Sequence, residues 1–384
     1  YEQLSSRVKL EYVDLIRNPD FSARFPEEKF NVNDILISSG GNVRKLTSSD
    51  LFNIRSSYYG SYVASSKAEQ AMTSALLNVT SDKKFLAAVI EGHDGADVSA
   101  FVELLQLNAW ETVDLNLITE DIPPEASLLI LARPSRDLDI AELQKLDAFL
   151  GEGRDRTLFY LTDIDQPSLP NLTDFLAEWG IAVESGLVYE TSSSRILMSN
   201  PYVALADFAE EKYAKNVSVK DLYPVIPQAR PLKVLWEARG WRTASTLINT
   251  SGTSGVRPLD APPDWTPESS LSGGVPILAL SDFYRTNPQS EALSGHVLVC
   301  GSTLALVPTM LGNPNLANSA YFLDLLGQLA KRDDQVYVQD KTLGFTELRV
   351  TGEQVMLFTL IFVGLLPLAV LVAGIVVWLR RRHK

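Results

Sequence analysis

One cysteine and three histidines in 384 residues remove several chemistries at the outset. A single thiol, Cys300, forbids an internal disulfide, so the fold must be held by its core. Cys300 lies among apolar neighbours in His296–Ser302 and reads as a buried strand residue. Structural zinc needs several His, Cys or carboxylate ligands converging, and His93, His296 and His383 are too few and too scattered. The chain has no G-x-S-x-G nucleophile elbow, no Walker A lysine motif, no glycine-rich dinucleotide fingerprint and no calcium-loop pattern. The residues therefore imply neither a cofactor nor a metal. Positive charge is also scarce: 34 Lys and Arg stand against 47 Asp and Glu, a formal net charge of −13. Such a balance opposes nonspecific binding to nucleic acid and lying flat on anionic lipid.

What the chain does have is one long uncharged run near its end. Met356 to Leu379 is 24 residues without a formal charge. As a helix it would extend about 36 Å, enough to span a bilayer core of about 30 Å with some tilt. Trp378 stands at an interfacial position, and Pro367 is tolerated in membrane helices. Arg380, Arg381, Arg382, His383 and Lys384 follow at once, and such clusters stay on the cytoplasmic side. The reading is a transmembrane helix at 356–379, a cytoplasmic basic tail at 380–384 and a juxtamembrane linker at 336–355. Everything before residue 350 is then an extracytoplasmic domain, periplasmic or extracellular, on a bacterial inner or cytoplasmic membrane. The chain begins at Tyr1, and an upstream signal or first membrane helix is expected.

Residues 1–80 read as an incomplete N-terminal α/β module. Strands are expected at Val8–Asp14, Asp34–Ser39 and Val43–Leu46, with Gly40-Gly41 turning a hairpin. Residues 56–62 read as an exposed loop, and Ser66–Val79 as a helix with Ala68, Met72, Ala75, Leu76 and Val79 on one face. Residues 82–335 read as a single α/β domain. Its clearest portion runs strand Phe85–Ile90, helix from Asp97, strand Thr112–Ile118, strand Ser127–Ala132, helix Ile140–Leu150 behind an Asp139 cap, strand Thr157–Thr162 and helix Leu172–Gly180. Continuous apolar strands alternating with amphipathic helices predict an α/β fold with an open, mostly parallel sheet. Further on, a helix is expected at Val203–Asn216, a strand at Pro231–Ala238 and a loop at Asn249–Ser272. Strands Val275–Phe283 and His296–Ser302 follow, and then a helix at Asn318–Lys331.

Polar residues following the apolar strands gather, in this reading, on one rim where open sheets bind ligands. The candidates are His93, Asp94, Arg133, Ser135, Asp163, Ser281 and Asp282. Charged groups at such places stay hydrated or find partners, because burying them unpaired is costly. They either form a binding rim or tie neighbouring loops together. Gly92-His93-Asp94-Gly95 is the most catalytic-looking stretch, since a histidine beside an acid can serve as a base. Its glycines equally suit a tight structural turn.

The order of motifs resembles a known family. Gly92-His93-Asp94-Gly95 is followed by Ile122-Pro123-Pro124, Ala132-Arg133-Pro134, Ser281-Asp282-Phe283, Gly312-Asn313 and Leu326-x-Gln328-Leu329. Leu366-Pro367-Leu368, Gly374 and Trp378-Leu379-Arg380-Arg381-Arg382 complete the series. Together they are similar to the auxiliary family of ABC transport systems that includes the gliding-motility-associated, substrate-binding-like protein. The resemblance covers roughly residues 8–384. It implies a domain like the class I glutamine amidotransferases, of flavodoxin-like architecture, without their catalytic apparatus. It also implies ABC permease and ATPase subunits as partners, and an N-terminal membrane helix. A related domain occurs in an intraflagellar-transport subunit. The family's Gly-His-Gly-Glu is Gly92-His93-Asp94-Gly95 here, and its Gly-Asp-Ser-Asp-Phe is Ala279-Leu280-Ser281-Asp282-Phe283.

The function expected on these grounds is a membrane-anchored, non-catalytic auxiliary subunit of an ABC transporter. It would touch permease, ATPase, membrane lipid and an envelope ligand, and no nucleic acid. One alternative is a structural or assembly protein of the cell envelope or motility machinery. Another is an envelope hydrolase, which would need His93, Asp94 and Asp282 to converge on one pocket.

Overall fold

A computed structural model describes residues 5–25, 29–57, 60–81, 84–218, 222–262, 265–266, 273–332, 341–343, 359–368, 374–375, 378–379 and 382. It divides into two compact units. One comprises Tyr1–Asn53 and Ser66–Lys341, the other Ile54–Ser65 and Thr342–Lys384.

The first unit is built on a nine-stranded sheet. Leading into it are β1 (Ile35–Ser39), β2 (Asn42–Leu46) and α1 (Ala68–Thr80). The sheet-forming part begins with β3 (Phe85–Glu91), α2 (Ser99–Gln106), β4 (Trp110–Asn116) and β5 (Ala126–Ala132). It continues through α3 (Ile140–Glu152), β6 (Arg156–Leu161), α4 (Pro170–Glu178) and β7 (Arg242–Asn249). It closes with β8 (Pro276–Thr286), β9 (Ala292–Cys300) and α5 (Asn318–Leu329). Across the sheet the order is Asp207–Phe208, β7, β8, β9, β6, β5, β3, β4, with Ala238–Arg239 added on β7.

Strands β4, β3, β5, β6 and β9 pair in parallel. From β9 outward every pairing is antiparallel. The parallel strands thus lie in the order second, first, third, fourth, fifth, and the switch point falls between β3 and β5. The expected open sheet is present, with an antiparallel wing that strand-by-strand reading did not assign a direction.

The apolar runs explain the layering. In β3, Phe85 and Ala87 enter the core on one face, while Leu86, Ala88 and Ile90 enter the core on the other. Strand β5 does the same with Leu128 and Ile130 against Leu129 and Leu131. A strand buried on both faces needs apolar residues at every position, and helices must cover both sides. Phe101 and Leu105 of α2 and Phe322 and Leu326 of α5 pack on the first face. Leu146 and Phe149 of α3 and Leu172 and Phe175 of α4 pack on the second. Helix α3 starts where expected: the Asp139 side chain accepts the Glu142 amide, and the Glu142 side chain accepts the Asp139 amide, both at 2.8 Å. That reciprocal box satisfies two otherwise orphaned donors. Asp97 accepts the Ser99 amide at 2.8 Å at the start of α2.

Several expectations are corrected. Val8–Asp14 is irregular and not a strand. Within residues 1–80, hairpin β1–β2 and helix α1 fall in the same unit as the sheet, and Ile54–Ser65 falls in the other. Gln70 of α1 donates to Asn108, and Lys67 pairs with Glu103 of α2 at 3.1 Å. The expected exposed loop at 56–62 contains strand: Phe52–Ser57 and Gly60–Ser66 pair in a three-stranded sheet with Lys341–Thr342. The helix expected at Val203–Asn216 is instead a strand Asn200–Ala204, a two-residue strand Asp207–Phe208, a 3₁₀ turn Glu211–Tyr213 and a short helix Lys215–Ser218. Its apolar residues serve two different packings: Val203 joins Val225, Met310 and Leu316, while Ala206 and Tyr213 join the main core. The strand expected at Pro231–Ala238 is broken: Leu232–Val234 pairs with Ile181–Val183, and Ala238 opens the separate two-residue strand on β7. The loop expected at Asn249–Ser272 contains a strand, Ser254–Arg257, paired with Leu187–Glu190.

The linker expected at 336–355 lies mostly outside the described residues, as does much of the membrane span expected at 356–379 and of the tail at 380–384. Leu360–Leu365 is a π-helical turn. Among the described residues, no helix is long and apolar enough to cross a membrane.

Candidate functional site

The loops after β3 and β5 meet at the switch point, on the carboxyl side of the parallel strands. This is where open α/β sheets usually bind ligands. Close approach of the backbone builds the rim. Ala96 donates to the carbonyl of Ala132 at 2.9 Å, and Ser135 donates to the carbonyl of His93 at 2.8 Å. A Cβ on Gly95 would stand 2.8 Å from the Ala132 carbonyl oxygen, so only glycine fits without displacement. Asp94 and Arg133 both take positive φ, at 50° and 40°.

Five of the seven expected residues are at this rim, and their polar groups are engaged by neighbouring protein groups. His93 is buried. Its Nε2 lies 2.8 Å from Glu142 Oε1, and its Nδ1 lies 3.2 Å from the Arg136 carbonyl oxygen. A carbonyl only accepts, so Nδ1 carries a hydrogen. Asp94 is exposed and pairs with Arg136 Nε at 3.1 Å, while Arg136 also donates to the Gly92 carbonyl at 2.6 Å. Arg133 pairs with Asp165 at 3.0 Å. The Ser135 hydroxyl donates to the Asp94 carbonyl at 3.1 Å. Asp163 accepts from the Thr303 hydroxyl.

Ser281 and Asp282 are not at this rim, which corrects the sequence reading. Strand β8 continues to Thr286, so both residues lie within it. Because β8 runs antiparallel to β9, Asp282 faces His296 across the ladder, and His296 is level with Thr157 at the start of β6. Both therefore sit toward the amino end of the parallel strands. Ser281 is fully buried, and its hydroxyl has no partner among the described residues. His93, Asp94 and Asp282 do not converge, so the geometry that the hydrolase alternative needs is absent.

Asp282 instead borders a cleft of about 250 Å³ at the amino end of the sheet. His296 Nδ1 lies 2.7 Å from Asp282 Oδ1, and no described group reaches His296 Nε2. Lys212 Nζ donates to the Tyr213 hydroxyl at 3.0 Å. That bond raises the Lys212 pKa, while burial and the neighbouring Asp282 charge push the Tyr213 phenol up. Asp155, Ser294, Gln328 and Lys331 complete the polar lining. Sequence reading assigned no role to His296, Lys212 or Tyr213. The available signal was weak: one of three histidines lying within an apolar strand. Glu142 was also missed at the rim, although the Asp-x-x-Glu spacing from Asp139 was visible. Among the described residues, no group of three or more His, Cys, Asp or Glu is placed to hold a metal.

No family model matches the chain, and no curated protein matches it. Solved structures with a similar course include the mmIFT52 N-terminal domain, at 18% identity and a TM-score of 0.48, covering 66% of this chain and 100% of that one. A putative ThuA-like protein from Bacteroides uniformis is 11% identical with a TM-score of 0.39, covering 66% of this chain and 94% of its own. Agd3, a carbohydrate deacetylase, is 8% identical with a TM-score of 0.35, covering 64% and 32% respectively. None of these likenesses carries an inference about activity.

Proposed function

We propose that the chain is a membrane-anchored, non-catalytic auxiliary subunit of an ABC transport system. In this reading the large unit is a class I glutamine amidotransferase-like, flavodoxin-like scaffold turned to binding and assembly. One observation carries the proposal. The carboxyl-side rim, where such a sheet would hold catalytic groups, spends its polar residues on itself. His93 is buried against Glu142, Asp94 pairs with Arg136, and Arg133 pairs with Asp165. A general base must reach a substrate proton within about 3 Å, and both ring nitrogens of His93 are engaged, one by Glu142 of α3 and one by the Arg136 carbonyl. The exposed Asp94–Arg136 and Arg133–Asp165 pairs remain as a charged surface suited to a protein partner.

The membrane anchor rests on the sequence: an uncharged run of 24 residues followed by Arg380, Arg381 and Arg382. The partners in this reading are a permease and an ATPase, with the ectodomain outside the cytoplasm. Purification of the tagged chain from native membranes in mild detergent tests the proposal. The expected result is stable recovery of permease and ATPase chains with it. Reproducible emergence of the chain alone, with its neighbours expressed and intact, would refute it.

A further inference from the structure

We propose that the cleft at the amino end of the sheet is a binding site for a neutral, polyhydroxylated ligand of monosaccharide size. The assignment is independent of the transporter reading, and it places a ligand on the side of the sheet opposite the switch point.

Four features of the cleft carry it. The first is an orphaned ring nitrogen. His296 is 9% exposed, its Nδ1 is turned to Asp282 Oδ1 at 2.7 Å, and its Nε2 has no partner among the described residues. A buried polar atom without a partner is costly, and a ligand hydroxyl, which can both donate and accept, would satisfy it.

The second feature is complementary donors in the same lining. Tyr213 accepts from Lys212 at 3.0 Å, which leaves the phenolic hydrogen itself to donate. The third is charge balance. Asp155 and Asp282 stand against Lys212 and Lys331 around the opening. Asp155 is already paired with Arg154 at 3.5 Å, and Asp282 is hydrogen-bonded to His296, so neither acid is left as a bare charge to draw a cationic ligand. A ligand with many hydroxyls can donate to the acids and accept from the lysines.

The fourth is size and surface. The volume of about 250 Å³ lies just under the range of about 300–1,000 Å³ typical of pockets for drug-sized ligands, which suits a smaller guest. The rings of Tyr213 and Tyr284 stand beside the polar groups, which gives an apolar wall for the C–H face of a sugar ring. The end of α5 contributes Gln328, whose Nε2 donates to Asp324 at 3.0 Å, leaving its amide oxygen as a further acceptor.

Isothermal titration of the full 384-residue chain in detergent tests this. The probes are D-glucose, D-galactose, N-acetyl-D-glucosamine and myo-inositol, with D-glucuronate as the charged counterpart of glucose. Saturable binding is expected for at least one neutral probe, and glucuronate should bind no more tightly than glucose. His296→Leu should weaken the binding by about tenfold or more, as the loss of one hydrogen bond in a desolvated site implies. Lys212 is exposed, so Lys212→Met tests the same site without threatening the fold, and a comparable weakening is expected. Asp94→Asn, on the opposite rim, should leave binding unchanged. No saturable binding by any neutral probe would overturn the assignment, as would binding that survives both His296→Leu and Lys212→Met. Preference for glucuronate over glucose would overturn the neutral-ligand specificity.

Discussion

Glu190 gives the sharpest stability test. It ends the strand Leu187–Glu190 and is 2% exposed, yet none of its partners is a cation. One carboxylate oxygen accepts from the Thr191 and Ser192 amides, both at 2.7 Å, and from the Thr253 hydroxyl at 2.6 Å. The other accepts from the hydroxyls of Ser251 and Ser254, at 2.5 and 3.0 Å. Burial opposes the charge, but the bonds from Ser251, Thr253, Ser192 and Ser254 outweigh it and lower the pKa from 4.5 to about 2. The folded value lies below the unfolded one. The group therefore stabilises the fold above about pH 4.5 and loses that contribution as pH falls toward 2. At about 1.4 kcal/mol per pH unit, the drop from 4.5 to about 2 corresponds to at most about 3 kcal/mol, of which a glutamine, keeping one accepting oxygen, should forfeit about 2 kcal/mol. Glu190→Gln keeps the shape but turns two N–H groups toward a nest of donors. Urea unfolding of both proteins should differ by about 2 kcal/mol at pH 6, a melting shift of about 4–8 °C, with the gap closing as pH approaches 2. A gap constant from pH 6 to 2.5, or no gap at all, would show that the hydroxyl nest does not hold a charge.

Other consequences can be measured alongside. Gly295→Ala would put a Cβ 2.3 Å from the carbonyl oxygen of Leu150 in α3, so a loss of about 1–3 kcal/mol is expected; an unchanged melting temperature would contradict that packing. Glu142→Ala strips His93 of its buried partner and α3 of half its capping box, and should lower the urea midpoint by the equivalent of about 3 kcal/mol or more. A near-neutral result would mean that the His93–Glu142 contact is not made. Burial pushes the Cys300 thiol up to about 12, so a thiol reagent at pH 8 should label it only after unfolding. Prompt labelling of the native protein would place Cys300 outside the core.

The parallel part of the sheet was legible because its physics is local. Phe85–Ile90, Ser127–Ala132 and Thr157–Thr162 are apolar at nearly every position, and Asp139 with Glu142 marks a helix start within four residues. The antiparallel wing was less legible. By sequence, Val275–Phe283 reads as a strand ending at Ser281-Asp282-Phe283, because polarity usually signals an end. The strand runs on to Thr286 since its last residues pair with Leu293 and Ala292 while facing solvent. That extension, and the reversal of direction at β9, moved Asp282 to the opposite side of the sheet from His93. The region 200–218 misled for a related reason. Its alanines and aromatics suit a helix, but neighbours such as Val225 and Leu316, far along the chain, decide its packing. Contacts of that kind, like His93 with Glu142, leave no mark in local periodicity.

The place of β9 has a consequence for how the polypeptide is made. Strand β6 is complete at Leu161, but its second edge is covered only by β9, which begins at Ala292. About 130 residues separate the two, roughly 7–26 s of synthesis at 5–20 residues per second. Throughout that interval Leu158, Phe159 and Tyr160 border an unpaired edge of a nascent parallel sheet, a template for pairing with another chain. Production of this protein therefore depends on whatever keeps that edge occupied or isolated while the ribosome works. Truncations ending between residues 161 and 292 should be the most aggregation-prone lengths of the chain.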